Sequence, residues 1–185
     1  MQFKDAQEIQ TPRLTLCVLK TNDVDIVFAL RSNEEVIKYI AREPLKTMSE
    51  GEEKTQELVK FINNNESISW VINLTSEKKK IGSICLWNFS TDRKTAEVGY
   101  DLLPEYHNKG IMNEALKSVS RFGFNELQLN SIEAFTSKHN KDSIALLKKN
   151  GFIYELDRKD LGFPDNNIYT LNKLNKPTTF MVVGL

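Results

Sequence analysis

The chain has 185 residues, of which 40% are hydrophobic and 27% are charged, as is ordinary for a soluble globular protein. Its 25 Lys and Arg residues are balanced by 25 Asp and Glu residues, so the formal net charge is zero. No overall positive field is therefore present to attract nucleic acid or an anionic membrane. We expect a single domain over residues 1–185.

The sequence is typical of a protein of the reducing cytoplasm. No segment approaches the roughly 18 apolar residues of a membrane span, and residues 1–10 lack a signal-peptide pattern. Cys17 and Cys85 each lie in an apolar, strand-like run. Two such cysteines predict buried free thiols rather than a disulfide framework.

Apolar periodicity and turn residues predict an alternation of strands and helices along the chain. The predicted elements are strand 13–19, helix 24–30, short helix 36–40, helix 49–62, strands 68–74, 80–89 and 95–103, helix 112–125, strand 131–136, helix 140–150, and strands 153–156 and 168–171. Thr21, Asn22 and Asp23 are expected to supply the cap of the first helix, and Ser49 with Glu52 has the capping-box pattern for the third.

The connections between these elements predict how the strands pair. Short turns between residues 68 and 103 predict three successive antiparallel strands. The strand–helix–strand unit over residues 95–136 favours parallel pairing. The sequence therefore predicts an α+β fold built on a mixed sheet.

One turn has the pattern of an anion site. Residues 96–104 predict a strand that ends at a proline, and residues 105–115 form a polar loop with one glycine before a helix begins. The first N–H groups of a helix are unpaired, and the helix dipole adds partial positive charge there. Both features favour an anionic ligand such as a pyrophosphate.

Three blocks of the sequence resemble the signature of the GNAT-type N-acetyltransferases, and most closely the branch that acetylates the N-termini of ribosomal proteins. The blocks are residues 96–115 around Glu97 and Gly110, residues 140–152 with their Asn-x-x-Ser and Lys-x-Gly-Phe patterns, and the Thr-Pro-Arg-Leu start at residues 11–14. They occur in the family's order and span nearly the whole chain to about residue 174. The resemblance implies the GNAT fold, with a core over residues 11–174.

The resemblance also implies a cosubstrate, acetyl-CoA, and a set of residues that bind it. Leu102 and Leu103 would offer main-chain groups to the pantetheine arm and the thioester. Asn140 would contact the pantetheine amide, and Ser143, one helical turn later, would approach the sulfur. The residues placed around the diphosphate are His107, Asn108, Lys109, Gly110, Ile111, Met112 and Asn113.

This turn departs from the family pattern at three positions. His107 stands where the family has Arg or Gln, Asn108 where the branch often has glycine, and Met112 where a small residue is usual. Gly110 keeps the family's glycine. The backbone donors remain, but the changes predict a shifted loop or weaker cofactor binding.

Glu97 is the first candidate for the general base, because it matches in position the glutamate that histone acetyltransferases of this superfamily use. A protonated amine must lose a proton before it attacks, and burial in an apolar sheet raises a carboxyl pKa toward that task. A structural or substrate-orienting role for Glu97 is the equal alternative.

The resemblance implies that Ser143 would assist departure of the thiolate, since Leu147 occupies the place of the family's usual tyrosine acid. A serine on the helix surface without a catalytic role is the alternative.

His107 and the cysteines are weaker candidates for chemistry. His107 either helps to neutralise the diphosphate or is a solvent-facing loop residue. With His139 as the only other histidine, no metal site is expected. Neither Cys17 nor Cys85 has the setting of a nucleophile, so direct attack is expected rather than an acetyl-enzyme.

The expected function is transfer of acetyl from acetyl-CoA to a primary amine, with a protein N-terminus as the acceptor. The alternatives are a small-molecule amine (polyamine, amino acid or drug) and a CoA-binding protein with little turnover. The apolar tail at 175–185 predicts packing on the domain or on a partner subunit, and hence a possible homodimer.

Overall fold

The computed structural model describes residues 2–173, and its centre is an eight-stranded mixed sheet. The strands are β1 (Ile9–Gln10), β2 (Leu14–Val18), β3 (Ile68–Leu74), β4 (Lys79–Trp87), β5 (Thr95–Leu102), β6 (Ser131–Ser137), β7 (Ile153–Tyr154) and β8 (Asn166–Asn172). The spatial order is β1-β2-β3-β4-β5-β6-β8-β7. Within the described residues, β5 and β6 form the parallel pair, and their neighbours pair antiparallel.

Five α-helices flank this sheet in residues 2–173. They are α1 (Val24–Ser32), α2 (Glu34–Ile37), α3 (Met48–Asn63), α4 (Ile111–Asn125) and α5 (Lys141–Lys149). The apolar stripe of α4 contributes Ala115, Leu116 and Val119 to the core, each with no exposed surface. Of the helices described here, none has the length and apolar character needed to cross a bilayer.

The predicted α+β fold and its mixed sheet are confirmed, and most element boundaries are correct within two residues. The short strand β1 was not predicted, because two residues carry no periodic signal. The second helix ends at Ile37 rather than at residue 40, and the strand predicted over 153–156 is reduced to Ile153–Tyr154. The predicted tail, 175–185, lies outside the described residues.

The predicted cap of α3 was wrong by two residues. Thr47, not Ser49, is the N-cap: its hydroxyl accepts from the Glu50 N–H at 3.3 Å, and the Glu50 carboxylate accepts from the Thr47 N–H at 3.2 Å. Thr47 and Glu50 have the same spacing as Ser49 and Glu52. Thr47 has the extended backbone that an N-cap requires, whereas Ser49 is already helical.

The predicted cap at Asp23 has a different role. Its side chain makes no capping hydrogen bond to α1. One carboxylate oxygen accepts from the Lys20 N–H at 2.8 Å, and the other lies 2.7 Å from Lys80 Nζ. Asp23 therefore ties the turn before α1 to β4.

Candidate active site

A gap in the sheet is the main feature of the site. β5 and β6 pair only from Thr95 with Ser131 to Glu97 with Glu133. β5 continues to Leu102 and β6 to Ser137, while β5 is paired with β4 from Glu97 to Leu102. The two parallel strands therefore separate after Glu97, and the main-chain groups of alternate β5 residues face the opening.

A cavity of about 2040 Å³ runs along this gap, larger than a usual small-molecule site of roughly 300–1,000 Å³. The cavity is lined by residues from both sides of the sheet. Glu97 and Asp101 lie on one face of β5, whereas Tyr100 lies on the opposite face, toward Ser143 of α5. All the predicted site residues line this cavity except Leu103 and Lys109. It is long enough to bring the start of α4, the gap and the α1–α2 segment into one space.

The local structure gives the predicted residues Leu102, Leu103 and Lys109 different surroundings. The Leu103 N–H donates to the Ile81 carbonyl at 3.0 Å, so it is turned toward β4 and away from the gap. Leu102 faces the gap, and its carbonyl lies 2.9 Å from His107 Nε2. Lys109 Nζ lies over the ring of Tyr106, 5.4 Å from the ring centroid.

The turn before α4 is built from left-handed residues. Asn108 has φ 59° and Gly110 has φ 71°. Asparagine tolerates this region better than other non-glycine residues, which explains how it stands at a glycine position. Met112 is 9% exposed and joins the core, so its bulk is accommodated by packing.

The N–H groups of residues 108–113 are available to a ligand. Within residues 2–173 none of them donates to a backbone or side-chain acceptor, as expected at the start of a helix. Gly110 adds no Cβ at this point, and residues 108 and 110–113 line the cavity. These donors and the helix dipole fit a diphosphate.

Arg13 and Glu114 hold the turn against the rest of the domain. Arg13 Nη1 donates to the Lys109 carbonyl at 2.9 Å, and Arg13 Nε donates to Glu114 at 2.7 Å. The Thr11 hydroxyl donates to the other Glu114 oxygen at 2.6 Å. Thr11 and Arg13 lie in a block that resembles the family, but their contact with this turn was not predicted, because it joins residues about 100 positions apart.

Glu97 lies where the two strands begin to separate. Burial raises the pKa of its carboxyl; the hydrogen bond from Asn88 Nδ2 opposes the rise, and the nearby carboxylates of Glu133 and Asp160 add to it. No cation lies within ion-pair distance of Glu97 in the described part of the chain. Such a carboxylate can accept a proton from an amine.

Ser143 faces the cavity from the first turn of α5. The predicted cap at Asn140 is present: Asn140 Oδ1 accepts from the Ser143 N–H at 3.1 Å. The Ser143 hydroxyl lies 2.8 Å from the Tyr100 hydroxyl. Burial raises the pKa of Tyr100 to about 12, so this phenol stays protonated near neutral pH. Tyr100 was not assigned a role from the sequence, where it lies 43 positions from Ser143.

The cysteines do not have the properties of nucleophiles. Both thiols are free, as predicted, but each is partly exposed, whereas the sequence predicted that they would be buried. Burial raises the pKa of Cys17 to about 11 and that of Cys85 to about 12. Because the thiolate is the reactive form, neither residue favours an acetyl-enzyme.

Comparisons with known proteins agree with this architecture. The family model described as "Acetyltransferase (GNAT) domain" matches residues 13–153. The uncharacterized N-acetyltransferase YoaA of Bacillus subtilis is 29% identical over 170 residues, covering 89% of this chain and 96% of that protein. Spermidine N(1)-acetyltransferase of Escherichia coli is 27% identical over 137 residues, covering 74% and 71%. The crystal structure of ribosomal-protein-S5-alanine acetyltransferase from Vibrio fischeri superposes with a TM-score of 0.75 at 22% identity, covering 93% of this chain and 100% of that one.

Proposed function

The chain belongs to the GNAT family of acetyltransferases and is an acetyl-CoA-dependent N-acetyltransferase, and we propose that its acceptor is the α-amine of a peptide or protein. The observation that carries the proposal is the position of Glu97. This carboxylate has no cationic partner in residues 2–173, and it lies where β5 leaves β6 in the cavity shared with the start of α4.

In the proposed reaction the diphosphate of acetyl-CoA binds the N–H groups of residues 108–113, and the acetyl end lies in the gap. Glu97 takes a proton from the ammonium group of the acceptor, directly or through water. The amine nitrogen attacks the thioester carbonyl carbon, and main-chain N–H groups facing the gap near Leu102 stabilise the developing oxyanion.

Collapse of the tetrahedral intermediate breaks the C–S bond and releases the thiolate of CoA. The Ser143 hydroxyl donates a hydrogen bond to the leaving sulfur, and the proton that the thiolate takes up comes from Ser143 or from water. As the amide forms, the attacking nitrogen gives up its second proton through water, and this restores the proton that Ser143 or water supplied to the sulfur. Tyr100 acts as a positioning residue, because its raised pKa disfavours transfer of its own proton.

The charges along the acceptor side favour a peptide over a polyamine. Glu133 is already paired with Arg158, and Asp101 with Arg42. Of these three carboxylates, Glu97 has no ion pair among the described residues and can receive the ammonium group of the acceptor. Arg31 and Arg42 line the same cavity and would repel the further positive charges of a polyamine, whereas peptide carbonyls would be favoured. The Vibrio fischeri structure, a ribosomal-protein-alanine acetyltransferase by its title, shares this fold.

A small-molecule amine is the second candidate, and the relationship to a spermidine acetyltransferase is the observation that favours it. An acetyl-transfer screen with thiol detection, run on N-terminal peptides, spermidine, spermine and amino acids, separates the two. We expect peptides to be acetylated with at least ten times the kcat/KM of either polyamine. Turnover of polyamines without turnover of peptides would refute the peptide proposal.

A further inference from the structure

Two arginines lie on the acceptor side of the cavity, and one of them, Arg42, is paired with Asp101. Arg31 lies in the last turn of α1 and Arg42 in the turn after α2, and both line the cavity. Arg42 Nη2 lies 3.2 and 3.4 Å from the two oxygens of Asp101. The Arg31 guanidinium has no hydrogen bond or ion pair to any described residue.

The pair is incompletely satisfied. Arg42 Nε is buried without a hydrogen-bond partner in the described residues. Burial lowers the pKa of Arg31, as does repulsion from Arg42, while Asp101 and to a lesser extent Glu57 oppose the shift. Glu57 is itself paired with Lys54 at 2.6 Å. Because a guanidinium cannot discard its proton, the remaining positive charge calls for an anion or for oxygen acceptors.

The distance to Glu97 fits a peptide. Glu97 and Asp101 lie on the same face of β5, four residues apart, which corresponds to about 13 Å along a strand. An extended peptide advances about 3.3 Å per residue. An acceptor with its amine at Glu97 would therefore reach Asp101 and its partner Arg42 at about its fourth residue, in the part of the cavity that Arg31 also lines.

We propose that Arg31 and Arg42 bind a carboxylate of the acceptor, so that the preferred substrate is a peptide N-terminus with Asp or Glu among its first four residues. This inference rests on the proposed peptide substrate. Arg31 selects the acceptor through its unpaired guanidinium, and Arg42 shares its charge between Asp101 and the substrate. A polyamine carries no group that this pair can bind.

The test uses peptides that differ only by Asp or Asn, with the variable residue moved from the second to the fifth position. We expect kcat/KM for the Asp peptide to exceed that for the Asn peptide at least ten-fold at one of positions 2–4. In Arg31→Gln this ratio should fall close to 1, while Arg31→Lys should keep part of it. Arg121→Gln, an exposed arginine of α4, is the matched control and should leave the ratio unchanged. A wild-type ratio near 1 at every position, or a ratio that Arg31→Gln leaves intact, would overturn the inference.

A binding measurement separates failure of this inference from failure of the peptide proposal. Calorimetry with N-acetylated product peptides reports carboxylate recognition without turnover. If polyamines alone are acetylated, the peptide proposal fails, and tighter binding of the Asp product that depends on Arg31 still supports the carboxylate site. Equal binding of Asp and Asn products would overturn it. Should Arg31→Gln fail to fold, Arg31→Met and Arg42→Lys are measured in the same way.

Discussion

The hydroxyl oxygens of Tyr100 and Ser143 lie 2.8 Å apart across the opening between β5 and α5. A phenol is the stronger donor of the two, and with Tyr100 as donor the Ser143 hydrogen is free to face the cavity. Tyr100 thereby fixes the orientation of the group that we propose for the leaving sulfur. Tyr100 thus acts through Ser143 rather than as a proton donor to the sulfur, because burial raises the pKa of its own hydroxyl.

Tyr100→Phe should lower kcat about ten-fold and leave the KM for acetyl-CoA nearly unchanged, because the serine loses its orientation while the packing of the ring is kept. The same substitution in a Ser143→Ala background should have little further effect, since residues that act through one contact are not additive. Steady-state kinetics of the single and double variants measure this. Ser49→Ala, an exposed helix serine, is the control, and fully additive losses would rule out a role through Ser143.

Gly110→Ala should weaken CoA binding. Its φ of 71° is left-handed, and a non-glycine residue there costs about 1–2 kcal/mol, so the turn will shift and misplace its N–H groups. We expect the Kd for CoA, measured by calorimetry, to rise about five- to ten-fold.

Gly110→Asn provides the matched comparison for that loop. The asparagine side chain adds the same Cβ, but asparagine adopts the left-handed backbone conformation more readily than alanine, as Asn108 does at φ 59°. Its Kd should therefore rise less than that of Gly110→Ala. Equal affinities for wild type and both variants would show that this backbone conformation is not needed for binding.

Glu114→Ala should destabilise the fold by about 2 kcal/mol, the usual range for hydrogen bonds to a charged group. Burial works against ionisation of Glu114, but its bonds from Thr11 and Arg13 outweigh burial and lower its pKa below the ordinary 4.5. Its contribution is therefore full above that value and is lost as the pH falls through the lowered pKa. Urea unfolding at pH 7 and at pH 3 measures both effects.

The control for this variant is Glu53→Ala, an exposed helix residue that should change stability by less than about 0.5 kcal/mol. A loss for Glu114→Ala that is the same at both pH values would mean that ionisation of Glu114 does not stabilise the turn.

Features encoded over a few residues were predictable from the sequence. The strand, glycine turn and helix over residues 95–125 follow from local pattern, and so does the cap at Asn140. The cap of α3 was ambiguous because two overlapping Thr/Ser-x-x-Glu patterns compete, and only the extended backbone at Thr47 decides between them.

The unpredicted parts of the site depend on distant residues. Arg42 reaches Asp101 across 59 positions and Tyr100 reaches Ser143 across 43, and both contacts exist only because β5 lies between α1–α2 on one face and α5 on the other. The opening itself depends on where the β5–β6 pairing stops. No periodic signal marks Glu97 as that point.

We propose that Glu97 removes the proton from the attacking amine, and the pH dependence of kcat/KM for wild type and Glu97→Gln measures this role. We expect a wild-type profile that rises through a carboxyl pKa above the ordinary 4.5. Glu97→Gln should lose this rise and about 10²-fold or more in rate near neutral pH, with Glu53→Gln as the unaffected control. An unchanged rate and an unchanged profile in Glu97→Gln would show that Glu97 is not the general base.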